Sequence, residues 1–323
     1  MIDLSVVVVT WKTPGLTFDC LAQLDRALKA VGRRRDWSSE VVVVDNASED
    51  GTAEGVRRRF PDMTLVVNER NLGFAAGVNR GLDRVDGRFV LLLNSDAWIG
   101  AATIEGCVDA LAALPEAGMA GPRLLHPDGR SQRSVHTFPD LWDEVVPAFV
   151  RDANSTGRRG AGSPARSQAI SVDAIRGAVL FVRRELIEEV GPLAEEYFFF
   201  LEETDWCWRA REQGWEILFV PHAPAVHVLG HSSKRRDAVR TRIEFQRSLD
   251  HFLRKHRGPA SARVGLWLRI GRNLLSGLVG LPAAIFSRRA RLRAHERWRV
   301  LAWQLRGRPT CAGLQGWSGP GPT

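Results

Sequence analysis

The chain opens on a run in which nearly every position is apolar, "LSVVVV" at 4–9, and similar runs recur as "EVVVV" at 40–44, "TLVV" at 64–67 and "RFVLLL" at 88–93. Each is short and mostly rich in β-branched residues, so each predicts a strand. None alternates with polar positions, which predicts strands covered on both faces, as in a parallel sheet between helical layers. Between the runs the period changes. Leu21, Leu24, Leu28 and Val31 share one helix face, and helices are expected again around 52–60 and 75–84. The β-α-β-α order predicts an α/β domain, whose ligands collect beyond the carboxyl ends of the strands.

The second half is less regular. Residues 151–172, "RDANSTGRRGAGSPARSQAISV", are rich in Gly, Ser and Arg and predict a loop. Order resumes with "AVLFV" at 178–182, a helix "RRELIEEV" closed by Gly191, an aromatic-acidic block at 197–209, and a last strand "ILFV" at 217–220. From about 235 the pattern is helical and basic, which divides the chain into an α/β domain over 1–234 and a helical extension over 235–323. No internal repeat is visible.

Composition narrows this picture. With 44% hydrophobic and 25% charged residues the chain is an ordinary globular one, and 323 residues hold one large domain plus an appendage. The net charge of +8 favours an anionic partner, and the arginines crowd into the last seventy residues. Four scattered cysteines without a C-x-x-C pair argue against a zinc site or a disulfide framework and fit a reducing cytosol. The opening "MIDLSVVVVT" lacks a basic n-region and a cleavage site, so it predicts a first strand and not a signal peptide. In the tail, "VGLWLRIGRNLLSGLVGLPAAIF" at 264–286 is interrupted by Arg269, Arg272 and Asn273, leaving too short an apolar run to span a bilayer comfortably. An interfacial helix attracted to anionic lipid suits it, with a buried helix-loop-helix or an oligomer contact as the alternative.

Polar clusters follow each of the first four strands. They are Thr10-Trp11-Lys12, then Asp45-Asn46-Ala47-Ser48, then "NERNLGFAAGVNRG" at 68–81, and finally Asn94-Ser95-Asp96. Any one alone is ordinary turn chemistry. Four on the same edge of a parallel sheet converge, offering carboxylates to a metal, amides to a base edge and glycines that admit a ligand. Neither G-x-G-x-x-G nor G-x-x-x-x-G-K-[ST] occurs, which disfavours a dinucleotide oxidoreductase and excludes a P-loop nucleotidase. Further on, Glu202, Glu203 and Asp205 are set among Tyr197, Phe198, Phe199, Phe200, Trp206 and Trp208. Carboxylates in apolar surroundings have raised pKa values and make useful bases; the plainer reading is an acidic helix N-terminus. "VPHAPAVHVLGHSS" then brings His222, His227 and His231, and with Asp96 a mixed Asp/His divalent site is plausible.

At this point the chain resembles a known family. "SVVVVTW", "VVVVDNASEDGT", "NERNLGFAAGVNRG", "LLLNSDAWI", "IRGAVLFVRRELIEEVG", "FFFLEETDWCWRAREQGW" and "HVLGHSS" occur in the order typical of GT-A fold inverting glycosyltransferases of family 2, in the rhamnosyltransferase-like branch. The likeness runs from residue 3 to about 256. It implies an α/β, mostly parallel sheet flanked by helices. It implies that Thr10, Asp45 and Asn71, with Trp11, Asn46, Gly73, Asn94 and Ser95 around them, line the nucleotide pocket. Asp96 would be the metal-binding carboxylate and His227 its partner; Glu203 the general base, with Glu202 beside it and Asp205 shaping the acceptor site. The cofactor would be Mg2+ or Mn2+, the co-substrate a nucleotide-sugar donor.

Two positions depart from the family pattern. Ala194 stands where an Asp usually precedes the aromatic run, and the usual Glu-Asp of the base motif is Glu202-Glu203, which leaves the base open between the two. No Q-x-x-R-W motif follows, so transfer of one sugar is expected and chain synthesis is not. The resemblance implies rhamnose from dTDP-rhamnose, moved to a glycan or lipid-linked acceptor in cell-envelope polysaccharide synthesis. The place of action would be the cytoplasmic face of the membrane, with peripheral attachment. A UDP-hexose or UDP-N-acetylhexosamine donor, or a non-catalytic nucleotide-sugar binding protein, are the alternatives. The arginine tail carries no readout motif, so a nucleic-acid partner is not expected.

Overall fold

A computed structural model describes residues 2–145, 169–228 and 237–315. The predicted first half forms as β1 (Leu4–Thr10), α1 (Pro14–Arg35), β2 (Ser39–Asp45), α2 (Thr52–Arg59), β3 (Thr64–Val67), α3 (Phe74–Leu82) and β4 (Phe89–Asn94). Next come β5 (Ala97–Ile99), α4 (Ala101–Ala113), β6 (Ala117–Leu125), β7 (Val135–His136) and α5 (Trp142–Val145). After them stand β8 (Ile170–Ser171), β9 (Ala174–Ile175), β10 (Val179–Arg183), α6 (Arg184–Val190), α7 (Glu202–Glu212) and β11 (Glu216–His227). Two helices close the chain, α8 (Ala238–Phe286) and α9 (Arg288–Leu305).

The main sheet has the order β3-β2-β1-β4-β10-β6-β11-β5, with β8 beside β11. The first four strands are mutually parallel, and β11 is parallel to β6. Only β10 and β5 on this path run the other way, so the sheet is mostly parallel as expected. The unbroken apolar runs follow from its two covered faces. Val6 and Val8 of β1 join Leu21 and Leu24 of α1 in one core, while Val7 and Val9 join Val78 of α3 in the other.

Three expectations change. The strand begun by "ILFV" runs on to His227, although its pairing with β6 shifts register between Val220 and Pro224. The strand β6, "AGMAGPRLL", was not legible, because Ala and Gly are poor strand formers. Its glycines are there for closeness: a Cβ on Gly118 or Gly121 would collide with Leu186 or Ile175. Of the predicted loop 151–172, residues 151–168 lie outside the described residues, but Ile170–Ser171 pair with β11 as a strand.

The chain falls into two compact units. The first takes the described residues of Met1–Phe138, Ser155–Glu196 and Glu202–Ser232; the second takes those of Pro139–Asn154, Tyr197–Leu201 and Ser233–Thr323. In the second, α8 breaks at Gly258, where φ is 87°. Its helices close on Val239, Ile243, Val300 and Trp303, and on a buried ionic cluster. The Arg269 guanidinium, 1% exposed, bonds Glu144 at 2.5 Å and also Asp250, which Arg308 holds in turn. Replacing Arg269 by Met leaves Glu144 and Asp250 short of buried countercharge, and the expected loss is about 3–5 kcal/mol of stability in urea unfolding. No helix among the described residues is long and apolar enough to cross a membrane.

Candidate active site

Strand register decides which side chains meet. Thr10 pairs with Asp45, Asp45 with Val67, and Val9 with Asn94, so the carboxyl ends of the first four strands are level. Because β10 is antiparallel to β4, it is the start of β10 that lies at this edge. There the Ala178 carbonyl accepts from the Asn94 N–H at 3.0 Å. The preceding residue, Gly177, packs directly on Glu203, since a Cβ placed on it would sit 3.2 Å from both Cβ and Cγ of that glutamate. The far end of β11 arrives at the same edge, His227 pairing with Ala97. Topology thus collects Thr10, Asp45, Asn94, Asp96, Glu203 and His227 on one rim.

The Asp96–His227 pair is the most chemically informative feature of that rim. Both are buried, and His227 Nε2 stands 3.4 Å from Asp96 Oδ1. The backbone locks the pair, since the Val228 N–H donates to the Asp96 carbonyl at 2.9 Å. Gln132 sets the imidazole. Its Nε2 donates to the carbonyls of Leu125 and His227, so its Oε1 is the acceptor that faces His227 Nδ1 at 3.2 Å. Nδ1 therefore carries a proton, and Nε2 is the ring atom that faces the carboxylate. A carboxylate oxygen and an imidazole nitrogen held face to face fit a metal cation between or beside them once Nε2 carries no proton, and a histidine oriented through its other nitrogen is a standard metal ligand. No cluster of three or more His, Cys, Asp or Glu side chains suited to a metal gathers among the described residues, and His231 lies outside them. Orphaned nearby is Asn94 Oδ1, buried without a hydrogen-bond partner at the head of the Asn94-Ser95-Asp96 turn.

The proposed nucleotide pocket is built from tied-down loops. Thr10 is buried and its hydroxyl lies 2.7 Å from that of Thr17, while Thr13 links on to Ser95 at 3.4 Å. The Asp45 carboxylate receives both the hydroxyl and the N–H of Ser48, and burial raises its pKa above the ordinary range. Asn46 joins two loops, donating to the Gly73 carbonyl at 2.8 Å and accepting from Asn68 at 2.7 Å. Asn71 accepts from the Gly73 N–H at 2.9 Å, and Gly73 takes φ of 88°, open to glycine alone at no cost. Lys12 and Ala47, at φ of 52° and 59°, hold the left-handed conformation without being glycine, and the Lys12 N–H joins the two loops by donating to the Ser48 hydroxyl at 2.9 Å. Asn46 thus serves as a strut, and Thr10, Asp45, Asn71 and Ser95 are the groups arrayed along the rim.

The acidic block sits at the start of α7. Burial raises the pKa of Glu203, against the pull of the Arg176 charge and the N–H groups of Gly177 and Thr204. Glu202 is buried beside it. Asp205 has a different place from the one expected: fully buried, it is bonded by Arg209 at 2.9 Å, and Arg209 also holds the carbonyls of Val190 and Pro192. It anchors the helix, and its carboxylate is not spare for an acceptor. The aromatics divide similarly, with Trp206 donating to the Gly191 carbonyl and Trp208 packing edge-on against Phe138.

Three neighbours of this rim had no distinguishing mark in the sequence. Gln132 and His136 are isolated polar residues in a stretch without periodicity, and Arg176 sits inside the quoted "IRGAVLFV". His136 Nε2 lies 2.9 Å from the Thr204 hydroxyl, and burial with the charges of Arg176 and Arg133 holds its pKa down to about 3. It stays neutral at physiological pH, a fixed dipole beside the glutamate helix. The contact at Gly177 yields a direct expectation. Gly177→Ala pushes the Glu203 side chain by a few tenths of an ångström, which should cost about tenfold in turnover while donor affinity and thermal midpoint hold, as read by steady-state kinetics and calorimetry.

Comparison with known proteins follows the same lines. Residues 3–256 match the family model described as "Glycosyltransferase like family 2". The chain is 27% identical to the N-acetylglucosaminyl-diphospho-decaprenol L-rhamnosyltransferase of Mycobacterium tuberculosis, over 92% of this chain and 99% of that one. It is 23% identical to a low-salt glycan biosynthesis hexosyltransferase of Haloferax volcanii, over 70% and 67% of the two chains. In structure it is similar to a mannosyltransferase from Pyrobaculum calidifontis in complex with GDP-Man and Mn2+, with a TM-score of 0.54 and 17% identity over 94% of this chain and 86% of that one.

Proposed function

The chain belongs to glycosyltransferase family 2, and from that premise we propose that it moves a single rhamnose from dTDP-rhamnose to a hydroxyl of a lipid-linked glycan. The observation that carries the chemistry is the Asp96–His227 pair, its Nε2 turned to the carboxylate by Gln132, on the rim that also holds Glu203. Asp96 and His227 would hold a divalent ion, which supplies neutralisation of the charge gathering on the donor's diphosphate. Thr10, Asp45 and Asn71 orient base and ribose. Glu203 takes the proton from the acceptor hydroxyl as that oxygen attacks the anomeric carbon, and the raised pKa of this half-buried carboxylate suits it to that task. One displacement inverts the anomeric centre and needs no nucleophile from the protein.

The choice of sugar and acceptor rests on likeness to the rhamnosyltransferase, which extends over nearly the full length of both chains. By the same likeness the acceptor is a sugar carried on a polyprenyl diphosphate. Calorimetry against a panel of nucleotide sugars in Mn2+ tests the donor: dTDP-rhamnose should bind tightest, and a UDP-hexose or UDP-N-acetylhexosamine in that place overturns the donor while leaving the reaction class. Glycan product from a synthetic polyprenyl-diphosphate sugar, set against the free sugar, tests the acceptor.

A further inference from the structure

The helix α8 buries one face and leaves the opposite face bare. Past the break at Gly258, Ala262, Gly265 and Arg269 face inward, while Val264, Trp267, Leu274, Leu275, Leu278 and Val279 are exposed, Trp267 by 67% and Val279 by 72%. At about 100° per residue these six positions fall within an arc of roughly 140°. Arg263 stands at one edge of that arc and Arg272 at the other, both exposed. A solvent-facing helix would carry polar residues there.

The helix α9 offers a second face of different kind. Arg288, Arg291, Arg299 and Arg306 are exposed and recur at near-helical spacing, with Leu292 and His295 among them. From residue 257 to 315 there are twelve arginines and a single acidic residue, Glu296. An apolar arc bordered by arginines, in a segment almost without negative charge, is complementary to a surface that is anionic outside and hydrocarbon beneath. A protein partner would meet the arc with apolar side chains but gives no reason for the one-signed charge.

We propose that this face of α8, with Arg263 and Arg272 at its borders, docks the protein on an anionic phospholipid bilayer, lying in the interface without crossing it. The proposal concerns where the protein sits and stands apart from the identity of donor or acceptor. The test is co-sedimentation of the full chain with vesicles of phosphatidylglycerol and phosphatidylcholine, or of phosphatidylcholine alone. Binding is expected to the mixed vesicles only, and to weaken as salt rises. The exposed-residue variant Trp267→Gln/Leu275→Gln/Val279→Gln should lower partitioning at least tenfold. The variant Arg263→Gln/Arg272→Gln should lower it about tenfold. Circular dichroism checks that each variant is folded; a variant that unfolds is replaced by its single substitutions, read the same way. Equal binding by folded variants and parent overturns the proposal. So does a parent that ignores both vesicles and sediments as a dimer split by the glutamines, since the arc is then covered by a second copy.

Discussion

Glu203→Gln is expected to lower turnover by roughly 10²–10⁴-fold while leaving donor affinity nearly unchanged. The amide keeps the size and the burial but cannot accept the acceptor's proton. A stability measurement separates this from damage to the fold. Burial raises the Glu203 pKa, so at neutral pH the folded state bears the cost of a desolvated charge. That cost is absent below the ordinary glutamate pKa and appears as pH rises through the raised one. The Gln variant should therefore melt higher than the parent at neutral pH, with the gap closing as pH falls. Transfer by the parent should fail on the acid side at a pH above that of an ordinary glutamate. His136 cannot be the source of that limb, because it is already neutral well below it. Full activity in the Gln variant moves the base to Glu202.

Asp96→Asn is expected to lower kcat/KM by about 10³-fold or more and to abolish the gain in donor affinity on adding Mn2+. The substitution removes the negative charge and presents a neutral amide, half of it a donor, to His227 Nε2, which lies 3.4 Å from the carboxylate. Calorimetry with donor, with and without metal, reads the effect independently of turnover. A milder companion is Gln132→Ala, which frees the imidazole to rotate or to move its proton to Nε2. It should weaken Mn2+ binding by about 10–100-fold with the ligands themselves intact. Donor binding that ignores metal in the parent and in both variants overturns the metal assignment.

Sequence was a good guide where one physical signal dominated. The runs at 4–9, 40–44 and 88–93 became central strands because residues apolar on both sides of the pleat have only one kind of place to go. The ends of those strands carried the polar rim for the same reason, since a parallel sheet delivers its strand ends to one edge. Where pairing is long-range and residues are small, the pattern fell silent, as in β6, whose glycines answer to Leu186 and Ile175. The ion pair of Asp205 was not legible either, because the sequence reading set it beside Glu203, whereas its partner in space is Arg209. Gln132 was invisible for a related reason. An amide that selects a tautomer 95 positions away leaves no local trace.

One stretch of chain ties the proposed base to the proposed metal ligand. Glu203 stands in the first turn of α7, the turn at Gly214 leads on into β11, and β11 ends at His227. Both ends are pinned by independent partners, Gly177 at one and Asp96 with Gln132 at the other. A residue gained or lost in that stretch slides one reactive group against the other. Variation in length among natural or engineered versions of this protein should therefore fall elsewhere. An exchange that moves residues 202–227 as a block carries the separation of the two groups with it.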